Sequence, residues 1–502
     1  MVNTGRPSKG CATCKKRKIK CDEDSPACLQ CKLAGWTCPG YPSASDLIFR
    51  NKTSAEMTQT GQVSSAWKKP VSPPVRDRAS TFFIKHYVFT SAAESGCFPP
   101  HTNHEYLPAL MQTQCSSFGL LSTAVAAIGY ASLSNAANAP PWRVEAFRLY
   151  SSAVLQLREA LQDPVQCRSD ETLGAILLMG NFEIGLGCLF TNHSQMIVSA
   201  DMTAMKSFSQ HIMAAARCVE LRRPQQFQSP IAMKLFMHMR RVLITTCHQL
   251  QEPIPASLGK WSQWTAPAQS DELLPINCFS EINEMLAGAR AELRYQSITD
   301  PVIVAARLLP IDELFEEWAR ELPQSWSYTS YDSTNTPGIG RYSAKCDIYS
   351  DPWIACIWNC YRNIRLLIHE AIIVAALKCG TDEHEHQMRA SKAVLASMSD
   401  GICHSAAYLL RDQPHSTEGL DKSTSSEGHP SPGGFLLIWP LFFAGMLRTS
   451  PTSQREWVAS IIERIGLQSG LQLAMIMARM LRGKALSFSH DETFIMGEWH
   501  PN

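Results

Sequence analysis

Beyond residue 80 the apolar positions recur in steps of three and four, the period of helices with one face on a core. Phe147, Tyr150, Val154, Leu157 and Leu161 make one such stripe between Pro140-Pro141 and Pro164, which predicts an amphipathic helix. Asp351 stands before Pro352, a residue suited to a first helical turn. The apolar run from Trp353 to Leu377 stops short of Gly380, so a long capped helix is expected. Arg362, Arg365, His369 and Glu370 inside that run argue against a membrane span. Ser453 and Glu456 have capping-box spacing ahead of Trp457, Ile461 and Ile465, with Gly466 expected to stop the helix. The longest apolar run, Gly433 to Leu447, holds Pro440 and falls short of the roughly 20 residues a bilayer demands, so it reads as a buried helix pair. Period-two alternation is scarce. The body is expected to be all-α and the chain as a whole mostly α.

Two boundaries frame that body. Residues 8–40 concentrate cysteine and lysine, and from Pro39 to about Ser80 the chain turns to Ser, Thr, Pro, Gln and Lys, closing on Pro70, Pro73 and Pro74. The organisation expected is a small module over 8–40, a flexible linker over 41–80 and an all-helical domain over 81–502. Single cores stop growing near about 250–300 residues, so the long body is expected to form two packed lobes. Its polar stretch 411–434 reads as a disordered surface loop. No apolar heptad is sustained after the cysteines. A coiled-coil dimer is therefore not expected, which leaves two arrangements open: binding at a single site, or a homodimer formed through the helical body.

Charge sharpens the division. The 502 residues carry 46 basic and 45 acidic side chains, but nine basic and four acidic ones fall within residues 1–50. A basic head precedes a mildly acidic body. The hydrophobic fraction of 45% excludes a wholly disordered chain. The first ten residues hold no apolar segment of the secretory kind, so reduced thiols are expected and no membrane partner.

Of 18 cysteines, six fall within 28 residues: Cys11, Cys14, Cys21, Cys28, Cys31 and Cys38. The second three repeat the spacing of the first three at an offset of 17. Structural zinc takes four thiolate or imidazole ligands, and no histidine precedes His86. Two tetrahedral ions need eight ligand places, so six sulfurs suffice if two of them bridge, and the symmetry makes the bridging pair equivalent members of the two halves. A single four-thiolate site built from Cys11, Cys14, Cys28 and Cys31 is the plainer reading, but it leaves Cys21 and Cys38 idle at matching offsets. A segment this short cannot bury enough apolar surface to fold alone, so metal must supply its core. Between Cys14 and Cys21 run Lys15, Lys16, Arg17, Lys18 and Lys20, and residues 5–20 hold seven basic side chains and no acidic one. Such a cationic helix matches a phosphate backbone and can present side chains to the major groove. Asp22, Glu23 and Asp24 read as a solvated loop facing away from the nucleic acid. No aromatic suited to base stacking occurs in residues 8–35, which disfavours single-stranded targets.

The run GCATCKKRKIKCDEDSPACLQCKLAGWTCPGY, residues 10–41, resembles the fungal binuclear zinc cluster transcription factors in every cysteine spacing. The resemblance implies two zinc ions, with Cys11 and Cys28 bridging, Cys14 and Cys21 completing one ion and Cys31 and Cys38 the other. It further implies a first helix that reads a CGG triplet through a basic pair corresponding to Arg17 and Lys18, and a loop proline at Pro26. Lys15, Lys16 and Lys20 are then phosphate contacts. The segments RLLIHEAI and GFLLIWPLFFAG in the body resemble the fungal-specific regulatory domain that follows the cluster in this family.

The body offers no phosphate loop, dinucleotide fingerprint, nucleophile elbow or zinc-protease helix. His384 and His386 read as a solvated acidic turn, and His101 and His104 as surface residues of a Pro-flanked turn. Cys356 and Cys360 read as buried thiols, and Met196, Met202, Met205 and Met213 as core filler. The expected function is a nuclear, sequence-specific regulator of RNA polymerase II genes that binds double-stranded DNA, works with transcriptional coregulators and is not an enzyme. A metabolic or secondary-metabolite gene cluster is the target that the resemblance implies. The rival is an enzyme or interaction protein whose zinc module serves only to localise it.

Overall fold

The structure of the protein, a computed structural model, describes residues 9–41, 73–88, 103–113, 119–186, 197–265, 274–332, 342–343, 345–379, 385–410 and 433–487. It divides into two units, Met1–Ser72 and Pro73–Asn502.

The first unit contains two short helices, α1 (Ala12–Arg17) and α2 (Leu29–Leu33), built alike. Cys11 and Cys28 are their N-caps in near-identical extended conformations, and each sulfur accepts the backbone N–H of the cysteine three residues on. The offset of 17 in the sequence is thus an offset of one capped turn in space. Lys18 ends α1 in the left-handed region at φ 58°. The buried centre is Cys11, Cys14, Cys28 and Cys31, with Cys21, Trp36, Cys38 and Tyr41 packed against it. Among the described residues no aliphatic side chain takes part.

Among the described residues the second unit is helical apart from one hairpin. It opens with α3 (Val75–Tyr87), α4 (Tyr106–Gln112), α5 (Leu120–Ala136), α6 (Pro140–Gln162) and α7 (Asp170–Leu186). There follow α8 (Ile197–Glu220), α9 (Pro230–Leu250), α10 (Ser257–Thr265), α11 (Leu274–Tyr295) and α12 (Pro301–Glu321). A hairpin of β1 (Tyr328–Asp332) and β2 (Lys345–Tyr349) comes next. The chain then forms α13 (Pro352–Cys379), α14 (Glu385–Leu409), α15 (Gly433–Met446), α16 (Thr452–Ser469) and α17 (Gln472–Ser487). Where two lobes are expected, the buried apolar side chains from Ala79 to Leu481 join in one connected cluster. Among the described residues no helix is long and apolar enough to cross a membrane.

Several expectations are corrected here. The linker was expected to reach residue 80, but α3 starts at Val75 and buries Ala79, Phe83 and Tyr87 on a four-residue step. Residues 42–72 of that linker lie outside the described residues, as do 411–432 of the expected polar loop, while Gly433 and Gly434 already belong to α15. The hairpin departs from an all-α body: β1 pairs antiparallel with β2 from Tyr328↔Tyr349 to Asp332↔Lys345. Strand β2 buries Cys346, Asp347 and Tyr349, so one face change hides its period of two. Helix α6 exists as expected but turns another face inward, burying Ala146, Leu149, Ala153, Leu157 and Ala160 and leaving Val154 and Leu161 exposed. Small alanines let α5 and α6 approach closely, which outweighs the hydrophobicity of the larger stripe.

The run expected to form a helix pair is the single helix α15, with Pro440 inside it. Helix α16 is capped by Pro451 without a side-chain bond and passes through Gly466. A Cβ on Gly466 would lie 3.0 Å from the Ala474 Cβ, so this glycine admits the next helix and does not stop its own. The stop is Gly470 at φ 71°. Its absent side chain leaves room for the Ser132 carbonyl on α5.

Helix α13 is the axis of the body and is capped as expected, with the Asp351 carboxylate accepting the Trp353 N–H at 2.7 Å. Arg362, Arg365 and His369 face inward. Arg365 forks onto Asp312 of α12 at 2.7 and 2.8 Å and reaches Glu316. His369 lies 3.0 Å from the same Asp312 and 3.0 Å from Ser391 of α14. Arg362 bonds Asp347 of β2 at 3.1 Å and the Tyr349 hydroxyl at 2.7 Å. Buried charge is tolerated when paired and fully hydrogen-bonded, which explains charged residues in so apolar a helix.

Candidate metal centre and nucleic-acid interface

All six expected cysteines converge. Their sulfurs fall into two groups, Cys11, Cys14, Cys21 and Cys28, and Cys11, Cys28, Cys31 and Cys38. Within each group the sulfurs lie within 4.8 Å of one another, and the two groups share Cys11 and Cys28. The sulfurs of Cys11 and Cys28 are 3.7 Å apart, Cys14 to Cys28 is 3.7 Å, Cys11 to Cys31 is 3.8 Å and Cys38 to Cys28 is 3.9 Å. Sulfurs tetrahedrally placed at about 2.3 Å from zinc are separated by about 3.8 Å, so the donor set fits the ion. A disulfide needs about 2.0 Å, and none of these cysteines forms one.

Electrostatics point the same way. Burial pushes the Cys14 and Cys28 thiols far above the ordinary thiol range, so these sulfurs cannot carry charge unaided. Backbone N–H groups of Cys28 and Gly40 hold Cys38 down at about 7, and the Cys11 N–H lowers Cys21. A cage that withholds water from its inner thiols and offers N–H donors to its outer ones suits thiolates neutralised by a cation at the centre.

The basic residues are less uniform than expected. Lys15, Lys16 and Arg17 lie on α1 and are exposed, whereas Lys18 is the left-handed cap and Lys20 lies beyond it. A helix carrying all five cations is therefore corrected to one carrying three, because α1 ends at the turn that brings Cys21 back to the cage. Arg17 also has a partner that spacing did not reveal, its guanidinium carbon standing 3.6 Å over the Trp36 ring. Trp36 falls one residue beyond the stretch searched for aromatics, and no periodic signal links it to Arg17. Asp22 is exposed as expected and has a task besides: it accepts the Leu29 N–H at 2.9 Å and so caps α2. Tyr41 donates its hydroxyl to the Asp24 carbonyl and ties the end of the module to its central loop.

In the body, His104 is not a surface residue but wholly buried, between the Tyr106 hydroxyl at 2.9 Å and the Asn181 amide. His101 and His384 lie outside the described residues, and His386 is exposed on α14. Met196 and the side chains of Met202 and Met205 also lie outside them, while Met213 is part-exposed on α8. Cys356 and Cys360 are thiols whose pKa burial raises, and both line a cavity.

Comparison with known proteins matches both regions. Residues 9–47 match the fungal Zn(2)-Cys(6) binuclear cluster domain, which binds two zinc ions, and residues 83–248 match the fungal specific transcription factor domain. The Schizosaccharomyces pombe transcriptional regulatory protein moc3 is 41% identical over 59 residues, 12% of this chain and 10% of its own length. The Emericella nidulans aspercryptin biosynthesis cluster-specific transcription regulator atnN is 49% identical over 37 residues, 7% of this chain and 6% of its own length. The transcription factor dbaG of the same organism is 22% identical over 157 residues, 31% of this chain and 36% of its own length. The chain thus spans about a tenth of the length of the first of these relatives. No solved structure matches. The chain thus matches, in this order, the two domains that characterise fungal Zn(2)-Cys(6) transcription regulators.

Proposed function

We propose that the protein is a nuclear regulator of RNA polymerase II transcription that docks its zinc module on double-stranded DNA and reads CGG-type triplets. The observation that carries this reading is the row of exposed cations on α1, a helix capped by Cys11 and held to the cage by Cys14. Two zinc ions are held by Cys11, Cys14, Cys21, Cys28, Cys31 and Cys38, with Cys11 and Cys28 bridging. Arg17 offers its fork to guanine O6 and N7. Lys18 adds a less directional base contact, and Lys15, Lys16 and Lys20 neutralise phosphates and supply a salt-dependent share of the affinity. Coregulators, or a second copy of the chain, engage the helical body. The naming of atnN for a biosynthesis cluster supports secondary-metabolite genes as the target. Selection of bound duplexes from a random pool, first with residues 1–80 and then with the full chain, tests the reading. Enrichment of CGG is expected, and paired triplets in the full-chain pool alone would place dimerisation in the body. Equal recovery of every duplex, or one zinc per chain, defeats it.

A further inference from the structure

A cavity of about 280 Å³, partly open to solvent, lies between α9, α11, α13 and α15. Most of its wall is apolar, including Phe208, Phe279, Trp353, Trp439 and Phe443, and among the described residues no aspartate or glutamate lines it. Two arginines do. Arg240 is answered from outside the cavity, where Asn277 stands at 3.0 Å and Glu284 at 3.3 Å. Arg241 has no carboxylate partner among the described residues. One of its terminal nitrogens donates to the Asn103 side-chain oxygen at 3.4 Å and faces His238 Nδ1 at 3.3 Å. Both contacts are long for a guanidinium, whose charge-assisted bonds sit near about 2.8 Å. Burial holds His238 well below its ordinary range and raises the Cys356 and Cys360 thiols, so the histidine is neutral and neither thiol serves as a counter-anion. The side-chain oxygen of Asn363, in the same wall, lacks a hydrogen-bond partner among the described residues.

Arg241 is half-buried against this apolar wall; a cation so placed without its anion is costly, and such a group persists where a ligand supplies the missing charge. We propose that the cavity is a binding site for a small organic monocarboxylate, whose aliphatic or aromatic body rests on the Phe279 and Trp439 wall and whose carboxylate takes the fork of Arg241. One guanidinium matches one planar carboxylate bidentately. A nucleotide or a tricarboxylate would need more cations than this wall holds. The volume lies at the lower end of small-molecule pockets, roughly 300–1,000 Å³, so the ligand is metabolite-sized. This site goes beyond DNA reading and stands on the body alone, so its failure leaves the zinc module untouched.

The test uses the full zinc-loaded chain and a series of monocarboxylates from butyrate to decanoate, with benzoate and 4-phenylbutyrate, each paired with its uncharged alcohol. Binding is followed by calorimetry and by the fluorescence of the wall tryptophans. At least one acid is expected to bind saturably, tenfold or more tighter than its alcohol. Arg241→Gln should erase that preference while the alcohol binds as before, with the ligand-free melting temperature unchanged or raised, as fits removal of an unpartnered charge. A series in which no acid outbinds its alcohol overturns the proposal, and so does an acid preference that survives in Arg241→Gln. Should the variant fail to fold, the comparison of acids with alcohols on the unaltered chain decides alone.

Discussion

The guanidinium carbon of Arg17 stands over the ring of Trp36, 3.6 Å from its centroid, so the two halves of the zinc module meet through a cation–π contact as well as through shared sulfurs. A stacked guanidinium keeps its N–H edges free, which orients the fork before it meets a base. Arg17→Ala should lower discrimination for the preferred duplex by about 1–3 kcal/mol while random DNA binds nearly as before. Trp36→Ala should act in the same direction, by about 0.5–1 kcal/mol. Lys20→Ala should weaken all duplexes alike and flatten the slope of log affinity against log salt by about one unit. Titrations on matched and scrambled DNA at several salt concentrations separate these effects; identical profiles for Arg17→Ala and Lys20→Ala would refute the division of labour.

Zinc is the core of residues 9–41, because the buried centre consists of cysteines. Chelation should unfold that unit and leave the helical body intact, since structural zinc contributes roughly 10–16 kcal/mol in small peptides. Acid should do the same, as protons compete with metal for the sulfurs. Circular dichroism of a fragment spanning residues 1–72, read with metal analysis across a pH series, should show zinc release and loss of structure together. A fragment still folded after complete metal removal contradicts this.

The metal cage could be read from sequence because its chemistry is local: six sulfurs at repeated spacings leave few ways to satisfy two tetrahedral ions. The helices of the body were legible for a similar reason, since periodicity and caps such as Asp351-Pro352 act within one turn. What sequence hid was set by distant partners. The inward face of α6 is chosen by alanines that admit α5, the passage of α16 through Gly466 by the approach of Ala474, and the burial of His104 by Tyr106 and Asn181. Arg17 on Trp36 and Arg241 in its cavity belong to the same class: each residue is unremarkable in its own segment and acquires its role from another.

Asp312 ties α12 to α13 by accepting from Arg365 and His369 together. Burial pushes its carboxyl up, but the bonds from His369 and Arg365 outweigh that and hold it below its usual value. Asp312→Asn strands Arg365 in a site where its side chain is 6% exposed. Removing one partner of a buried pair costs about 3–5 kcal/mol. Denaturant unfolding should show a loss of that order, and a change below about 1 kcal/mol would mean that Glu316 alone satisfies the arginine.

Gly470 should tolerate no side chain. Alanine there meets the left-handed backbone at φ 71° and a Cβ position 1.9 Å from the Ser132 carbonyl oxygen. The two penalties together amount to about 2–4 kcal/mol. Gly483 on α17, where a Cβ meets nothing within 4 Å, is the matched control and should gain a few tenths of a kcal/mol on replacement by alanine. Equal melting temperatures for the two variants would disprove the close approach.

His104 gives the body a pH dependence whose sign is fixed by its surroundings. The Asn181 amide donates to Nε2, which leaves the proton on Nδ1 facing the Tyr106 oxygen, so a second proton has no acceptor. Burial, and then the charge of Arg241, take its pKa from 6.5 down to about 3, and burial first lowers that of His248 likewise to about 3. Below pH 6.5 the unfolded chain binds protons that the folded body refuses. The stabilisation therefore stands in full above about pH 6.5 and drains as pH falls toward the folded values, at up to about 1.4 kcal/mol per pH unit for each histidine. Unfolding free energies of the body at pH 7.5, 6 and 5 should fall along this course, and His104→Gln should flatten the slope by one histidine's share. A slope unchanged in that variant would mean that His104 is already protonated in the fold, which its two hydrogen bonds forbid.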